Sequence, residues 1–268
     1  MRDFYATSKP VPLDQADGLR RLFHGRASAR QRTLALAANP YAPLGSVVLD
    51  RIAAVLAAGG RKVLVVDAAE SAPLAADMTR LDLAAGIEHL AEHVGYLAAR
   101  GLPLAHVDTR GSASGFIDAV LAAAPWADVV MVHADSGELA RLFKRRATRP
   151  VLIGADHPES IKHAYASAKF LVQRCQLTGF DLVLAASPQS PRLQAISSSL
   201  ARCTENFLGA WVYHCAVVDP TGDPAAVVDD ALSTLLASQL VFDDSHWMHA
   251  ATGSRVPAPA LTPNRFAT

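Results

Sequence analysis

His89 and His93 stand at i and i+4 in Glu88-His-Leu-Ala-Glu-His93, a spacing that on a helix could hold a metal from one face. No third ligand accompanies them, so a solvated helix face is the expectation. His246 and His249, near the C-terminal end, raise the same question and read more simply as part of a frayed end. Cys203 and Cys215 flank a possible base, His214, but a catalytic thiol needs a base placed by the fold, which adjacency in sequence does not supply. Buried structural thiols are expected. Gly111-Ser-Ala-Ser-Gly115 has the outline of a hydrolase elbow without the strand-to-serine geometry that such an elbow requires, and reads as a loop before a helix. The densest basic run, Arg141-Leu-Phe-Lys-Arg-Arg146 with Arg149 after it, closes a predicted helix, where cations suit the negative helix end.

These residues must be positioned by a chain of 268 residues, 51% of them hydrophobic, long enough to bury one large core. Lys plus Arg and Asp plus Glu both number 25, so no net field draws the protein to nucleic acid or to anionic lipid. Three scattered cysteines without a CxxC pair fit a reducing compartment, so the cytoplasm is expected. No apolar run reaches the length of a membrane span, and the N-terminus carries no secretory h-region.

Between Thr33 and Ser238, short β-rich runs alternate with stretches of helical period, the pattern of βαβ units around a parallel sheet. The predicted strands are Thr33–Ala38, Lys62–Asp67, Leu102–Val107, Asp128–His133, Pro150–Ala155, Phe180–Ala186 and Trp211–Val217, continuous apolar runs suited to burial on both faces. Leu44–Ala58 is a predicted helix stopped by Gly59-Gly60, and Asp156–Arg174 another, with Asp156 as cap, Pro158 and Glu159 in its first turn and Gly179 beyond its end. Residues 1–32 hold an amphipathic segment, Leu13–Phe23, and a polar connector; residues 246–268 form a Pro-, Ala- and Thr-rich tail expected to be disordered. The α/β domain proper is expected over residues 33–245.

A phosphate loop joins the first strand to the first helix through glycines whose N–H groups wrap the phosphates, with a Lys on the β/γ oxygens and a Ser or Thr on Mg²⁺. Here that stretch is Asn39-Pro-Tyr-Ala-Pro-Leu-Gly-Ser46, and the second strand ends at Asp67. Three stretches resemble the MinD/ParA group of ATPases, and within it the FlhG (FleN) regulators of flagellar number. Asp14-Gln-Ala-Asp-Gly-Leu-Arg20 is similar to the DQAxxLR segment with which FlhG proteins stimulate the flagellar GTPase FlhF. Leu56–Ala68 is similar to the group's second strand, and Pro150–Lys169 to its PEPTSxxDAYAxxK strand and helix.

The resemblance implies a single doubly wound, mainly parallel α/β sheet flanked by helices, of the P-loop NTPase type. It also sharpens the loop. Counted back from Asp67 without gaps, the family's KGGVGK[ST] falls on Pro40–Ser46: Pro40 stands where the signature Lys belongs and Gly45 where the phosphate Lys belongs, leaving Ser46 as the one Mg²⁺ candidate. His133 stands in the place of a metal-linked Asp, with Asp135 two residues on. No cofactor is therefore expected, ATP and Mg²⁺ being the alternative for an atypical loop that uses Ser46, Asp67 and Asp135. By the same resemblance Asp14, Gln15, Ala16, Leu19 and Arg20 form a partner-docking helix for an FlhF-like GTPase. Flagellar switch or transcriptional regulator proteins are further partner candidates, and a pole position would come through such a partner. The same segment also reads as a short helix packed on the domain. The family dimerises around ATP, so the altered loop leaves monomer and homodimer both open. Val227–Val241 is amphipathic but contains no Lys or Arg, unlike the basic lipid-binding helix that often ends MinD-type chains.

Overall fold

A computed structural model describes residues 31–144, 146–222 and 230–242. Eight strands form one sheet: β1 (Arg32–Ala37), β2 (Val63–Asp67), β3 (Ile87–Ala91), β4 (Val94–Ala98), β5 (Val129–Ala134), β6 (Val151–Ala155), β7 (Gly179–Ala185) and β8 (Trp211–Val218). Their order is β3-β4-β2-β5-β1-β6-β7-β8. Every pairing is parallel except β3 with β4.

The central strands are rich in Val, Leu and Ala and buried on both faces, as parallel strands covered by helices must be. Alternate residues feed two cores. Leu34, Leu36 and Met131 pack with α1 (Gly45–Ala58) through Val48, Ile52 and Leu56. They also share that face with α7 (Asp230–Val241) through Leu232, Leu235 and Leu236. Ala35, Val130 and Val132 face the other core. There they meet α3 (Ser114–Ala123), α4 (Ser136–Leu142), α5 (Pro158–Cys175) and α6 (Leu193–Leu208). A short helix, α2 (Asp77–Leu81), lies between β2 and β3. Helices on both faces make the sheet doubly wound.

One predicted strand and one predicted helical face are corrected. Leu102–His106 is a 3₁₀ turn: Gly101 takes the left-handed φ of 79°, and Pro103 has no N–H to offer a ladder. The strand of this unit is β4, paired along β2. Glu88–His93 is not helical but a hairpin, with Ala91 opposite Val94 and Glu92-His93 at its turn. β3 is an exposed edge strand, so no buried alternation marks it in the sequence. His89 packs on the Trp126 ring instead of pairing with His93 across a helical turn. Among the described residues no group of three His, Cys, Asp or Glu is arranged to hold a metal ion.

Helix α5 begins one residue later than its predicted cap. His157 is the cap, its Nδ1 accepting from the Glu159 N–H at 3.3 Å, while Asp156 accepts from the Ser190 hydroxyl. The helix is closed by Gln176 in the left-handed region, φ 56°. Gly179 instead opens β7, where a Cβ would lie 2.8 Å from the Tyr213 ring. The cysteines are not buried as expected: Cys203 is partly exposed and Cys215 exposed. Gly111–Ala113 is a loop leading into α3, which begins at Ser114, and is tied by Asp108 Oδ1, which accepts from the N–H groups of Arg110 and Ser112 at 2.8 Å each.

The basic run is spent on the domain itself. Arg141 pairs with Glu138, Arg146 with Asp118, and Lys144 Nζ donates to the Arg110 carbonyl; Arg145 lies outside the described residues. Arg149 is buried against Asp181. Among the described residues no helix is long and apolar enough to cross a membrane. The segment Asp14–Arg20 and the tail 246–268, with His246 and His249, lie outside the described residues.

Candidate functional site

In an open parallel sheet, ligands collect beyond the C-terminal strand ends where the connections change direction. β1 connects through α1 to β2 on one side of β5, while β6 flanks β1 on the other. At that edge lies a cleft of about 660 Å³, and Pro40, Gly45, Ser46, Asp67, His133 and Asp135 all line it. The fold thus gathers into one cavity six residues drawn from three strand ends.

The loop after β1 is built around Asn39, which is buried. Its Nδ2 donates to the carbonyls of Ile153 (2.8 Å) and Ser160 (2.9 Å) and to Ser160 Oγ (3.0 Å). Its Oδ1 accepts from the Tyr41 N–H at 3.0 Å. The Ala42 N–H donates to the Asn39 carbonyl and the Gly45 N–H to the Ala42 carbonyl, each at 3.0 Å, while Pro40 and Pro43 have no N–H. No residue between 39 and 46 has a positive φ. A phosphate nest needs successive free N–H groups set by alternating right- and left-handed residues, and this loop has neither. A Cβ added at Gly45 would meet nothing within 4 Å, and its φ is not left-handed, so neither crowding nor backbone strain demands a glycine there. Ser46 is exposed in the first turn of α1, whose N-terminus has no capping side chain.

Across the cleft, Asp67 ends β2 beside His133 on β5. Asp67 Oδ1 is 2.8 Å from His133 Nδ1 and also accepts from the Ala69 N–H at 3.3 Å. Because an ionised carboxylate only accepts, Nδ1 carries a proton towards Asp67. The His133 side chain is 8% exposed, and Nε2 has no protein partner among the described residues. Among the described residues no Ser or Cys hydrogen-bonds it. Tyr96 lies on β4, next to β2; burial, then the Asp67 charge, push its phenol up to about 12. Asp135 Oδ2 accepts from the Glu70 N–H at 3.0 Å. Burial raises the Asp50 carboxyl above its ordinary range.

Four carboxylates line the cleft, Asp50, Asp67, Glu70 and Asp135, and among the described residues no Lys or Arg does so. Asn39, Asp50, Glu70 and Tyr96 were not singled out by sequence reasoning. Asn39 alone carried a signal, a polar residue directly after a buried strand and before a proline. Tyr96 reaches Asp67 from a strand that the sequence pattern did not reveal.

No protein-family model matches the chain, and no curated protein matches it. Solved structures do. Cobyrinic acid a,c-diamide synthase of Mycobacterium smegmatis, with bound ATP analogue and magnesium, is 16% identical with a TM-score of 0.52 over 82% of this chain and 97% of that one. MinD in the MinC:MinD cell division complex of Aquifex aeolicus is 13% identical at TM-score 0.50, over 85% and 98%. A putative plasmid partition protein of Borrelia burgdorferi B31 bound to AMPPNP is 9% identical at TM-score 0.50, over 82% and 99%. Identities this low speak for architecture alone: the chain has the P-loop NTPase-like α/β fold of the MinD/ParA type.

Proposed function

We propose that this chain is an FlhG-like regulator of flagellar number or placement that works through protein contacts and does not hydrolyse ATP. The observation that carries the second half is the loop Pro40–Gly45, whose N–H groups at 41, 42 and 45 are spent within the loop. The carboxylate lining supports the same reading, since a triphosphate placed there would meet like charge with no lysine among the described residues to offset it. The first half rests on Asp14–Arg20: the segment would engage an FlhF-type GTPase, with Gln15 offered to the partner's active site and Leu19 and Arg20 holding the contact. The α/β body would then be the scaffold, in the cytoplasm, reaching the cell pole through that partner.

The test is FlhF binding and GTPase rate with the full chain and with residues 1–25 removed. Loss of binding or stimulation on removal supports the proposal; an unchanged complex and rate would sink it.

One observation favours a second reading, an ATP-dependent switch. Ser46, Asp67 and Asp135 share the cleft, and the uncapped N-terminus of α1 favours an anion. That reading requires heat on titration with Mg-ATP and dimer formation in its presence.

A further inference from the structure

The two edges of the sheet are built differently. β3 is five residues long, carries Glu88, and breaks register between His89 and Ala91. A short, charged and bulged edge of this kind resists pairing with another chain. β8, at the opposite end, is eight residues long and contains no proline, lysine, arginine or carboxylate. Trp211 is 48% exposed and Tyr213 43%, and Phe207, just before the strand, is 75% exposed. The β8 register is irregular opposite Phe180 and Leu182, where the His214 N–H donates to Asp181 Oδ1 at 3.0 Å. Beyond that point Cys215–Val218 pair regularly with Leu182–Ala185, so this stretch can take a neighbour on its outer side. Among the described residues no strand pairs there.

The chain's own continuation is a poor occupant. α5 and α6, which carry the chain outward from β6 to β7 and β8, pack on one face of the sheet, and α7, which follows β8, packs on the other. A strand after α7 lying parallel beside β8 would therefore cross over with the opposite hand to those two units, and about 98% of such crossovers are right-handed.

A second copy of β8 meets no such obstacle. Two β8 strands running antiparallel about a two-fold axis set no like charges against each other, because the strand carries no Lys, Arg, Asp or Glu. The aromatic start of each then lies against the Ala216–Val218 end of its mate. The joined sheet would end in β3 on both sides, so growth stops at two copies. The surface still exposed on Phe207, Trp211 and Tyr213 is roughly 300 Å² per copy. With the eight-residue edge added, this approaches the ~800 Å² per partner of a standard interface.

We propose that this chain forms a nucleotide-independent homodimer by antiparallel pairing of two β8 edges. The proposal rests neither on the N-terminal segment nor on the state of the cleft.

The experiment is sedimentation velocity of the full chain over a micromolar concentration series without nucleotide, in which a dimer is expected. Pairing over the whole strand brings His214 and Cys215 to the two-fold axis, so a charge placed at 215 faces its own copy. Cys215→Lys and Cys215→Glu, with folds checked by circular dichroism, should each raise the dissociation constant about fivefold or more, and an equimolar mixture of the two should dimerise again. Leu81→Lys, on the exposed end of α2, should leave the dimer intact. In the unmodified chain, hydrogen exchange at residues 215–218 should slow as concentration rises. A monomer throughout, a dimer only with Mg-ATP, no recovery in the mixture, or exchange at 215–218 that ignores concentration overturns the β8 pairing. Dissociation by Leu81→Lys, or on removal of residues 1–25, overturns it in favour of another surface. FlhF binding and GTPase rate decide the regulator reading separately.

Discussion

Asp67 and His133 are register partners on the parallel strands β2 and β5, with Oδ1 2.8 Å from Nδ1. Because both side chains leave neighbouring strands at the same level, one carboxylate orients one imidazole directly. Tyr96, from the strand on the other side of β2, feels the charge of the same carboxylate.

Removing the carboxylate should expose what it satisfies. Asp67→Ala leaves the His133 Nδ1–H without its acceptor, a loss of about 1–3 kcal/mol. For a chain of this size that lowers the melting temperature by roughly 2–4 °C per kcal/mol. Urea unfolding of the variant against the parent checks it, and Asp67→Asn should recover part of the loss through its remaining acceptor oxygen.

Tyr96 offers an optical test at high pH. Its phenol is raised to about 12 by burial first and by the Asp67 charge second, against about 10 for an unfolded tyrosine. Between those values the folded chain holds a proton that the unfolded chain has released. The stabilising difference is therefore complete below pH 10 and lost as pH rises towards 12. A phenolate absorbance titration should contain one late-ionising tyrosine that disappears in Tyr96→Phe, and the stability of that variant should fall less steeply over the same range.

The buried pair at the opposite end of the sheet is a stronger constraint. Asp181 is fully buried and accepts from Arg149 Nε (2.9 Å), Gln239 Nε2 (2.6 Å) and the His214 backbone N–H (3.0 Å). Asp181→Ala strands a buried guanidinium and should cost about 3–5 kcal/mol, whereas the double change Arg149→Met with Asp181→Leu should recover much of that. Since Gln239 and Ser238 lie on α7, hydrogen exchange in that helix should accelerate first.

The loop can be tested by two substitutions with opposite outcomes. Gly45→Ala meets open space at an ordinary φ, so stability should stay within about 1 kcal/mol of the parent or rise slightly. Asn39→Ala removes a donor to the Ile153 and Ser160 carbonyls and an acceptor for the Tyr41 N–H, and should cost about 1–3 kcal/mol. Thermal melts of the two variants make the comparison.

Strands β1, β2, β5, β6 and β7 were legible because a strand covered on both faces must be continuously apolar, and β8, an edge strand exposed over its first half, through its run of aromatic and β-branched residues. The α1 register and its end at Gly59 followed from helical spacing and a stop signal. The hairpin of β3 and β4 was not legible in the same way. β3 is exposed, and its pairing with β4 is a tertiary fact that leaves no period of its own.

The sequence by itself determined the chemistry available after β1: two prolines, no lysine and a single serine between Pro40 and Ser46. Those are covalent facts, and no packing can restore an N–H to proline or a charge to Gly45. Only the tertiary structure decided how the remaining groups are spent. Asn39 closes the loop because β6 and α5 bring carbonyls to it, and Asp67 meets His133 and Tyr96 because β5 and β4 flank β2. Hydrogen-bond partners from distant segments are set by strand order, which one-dimensional spacing does not encode.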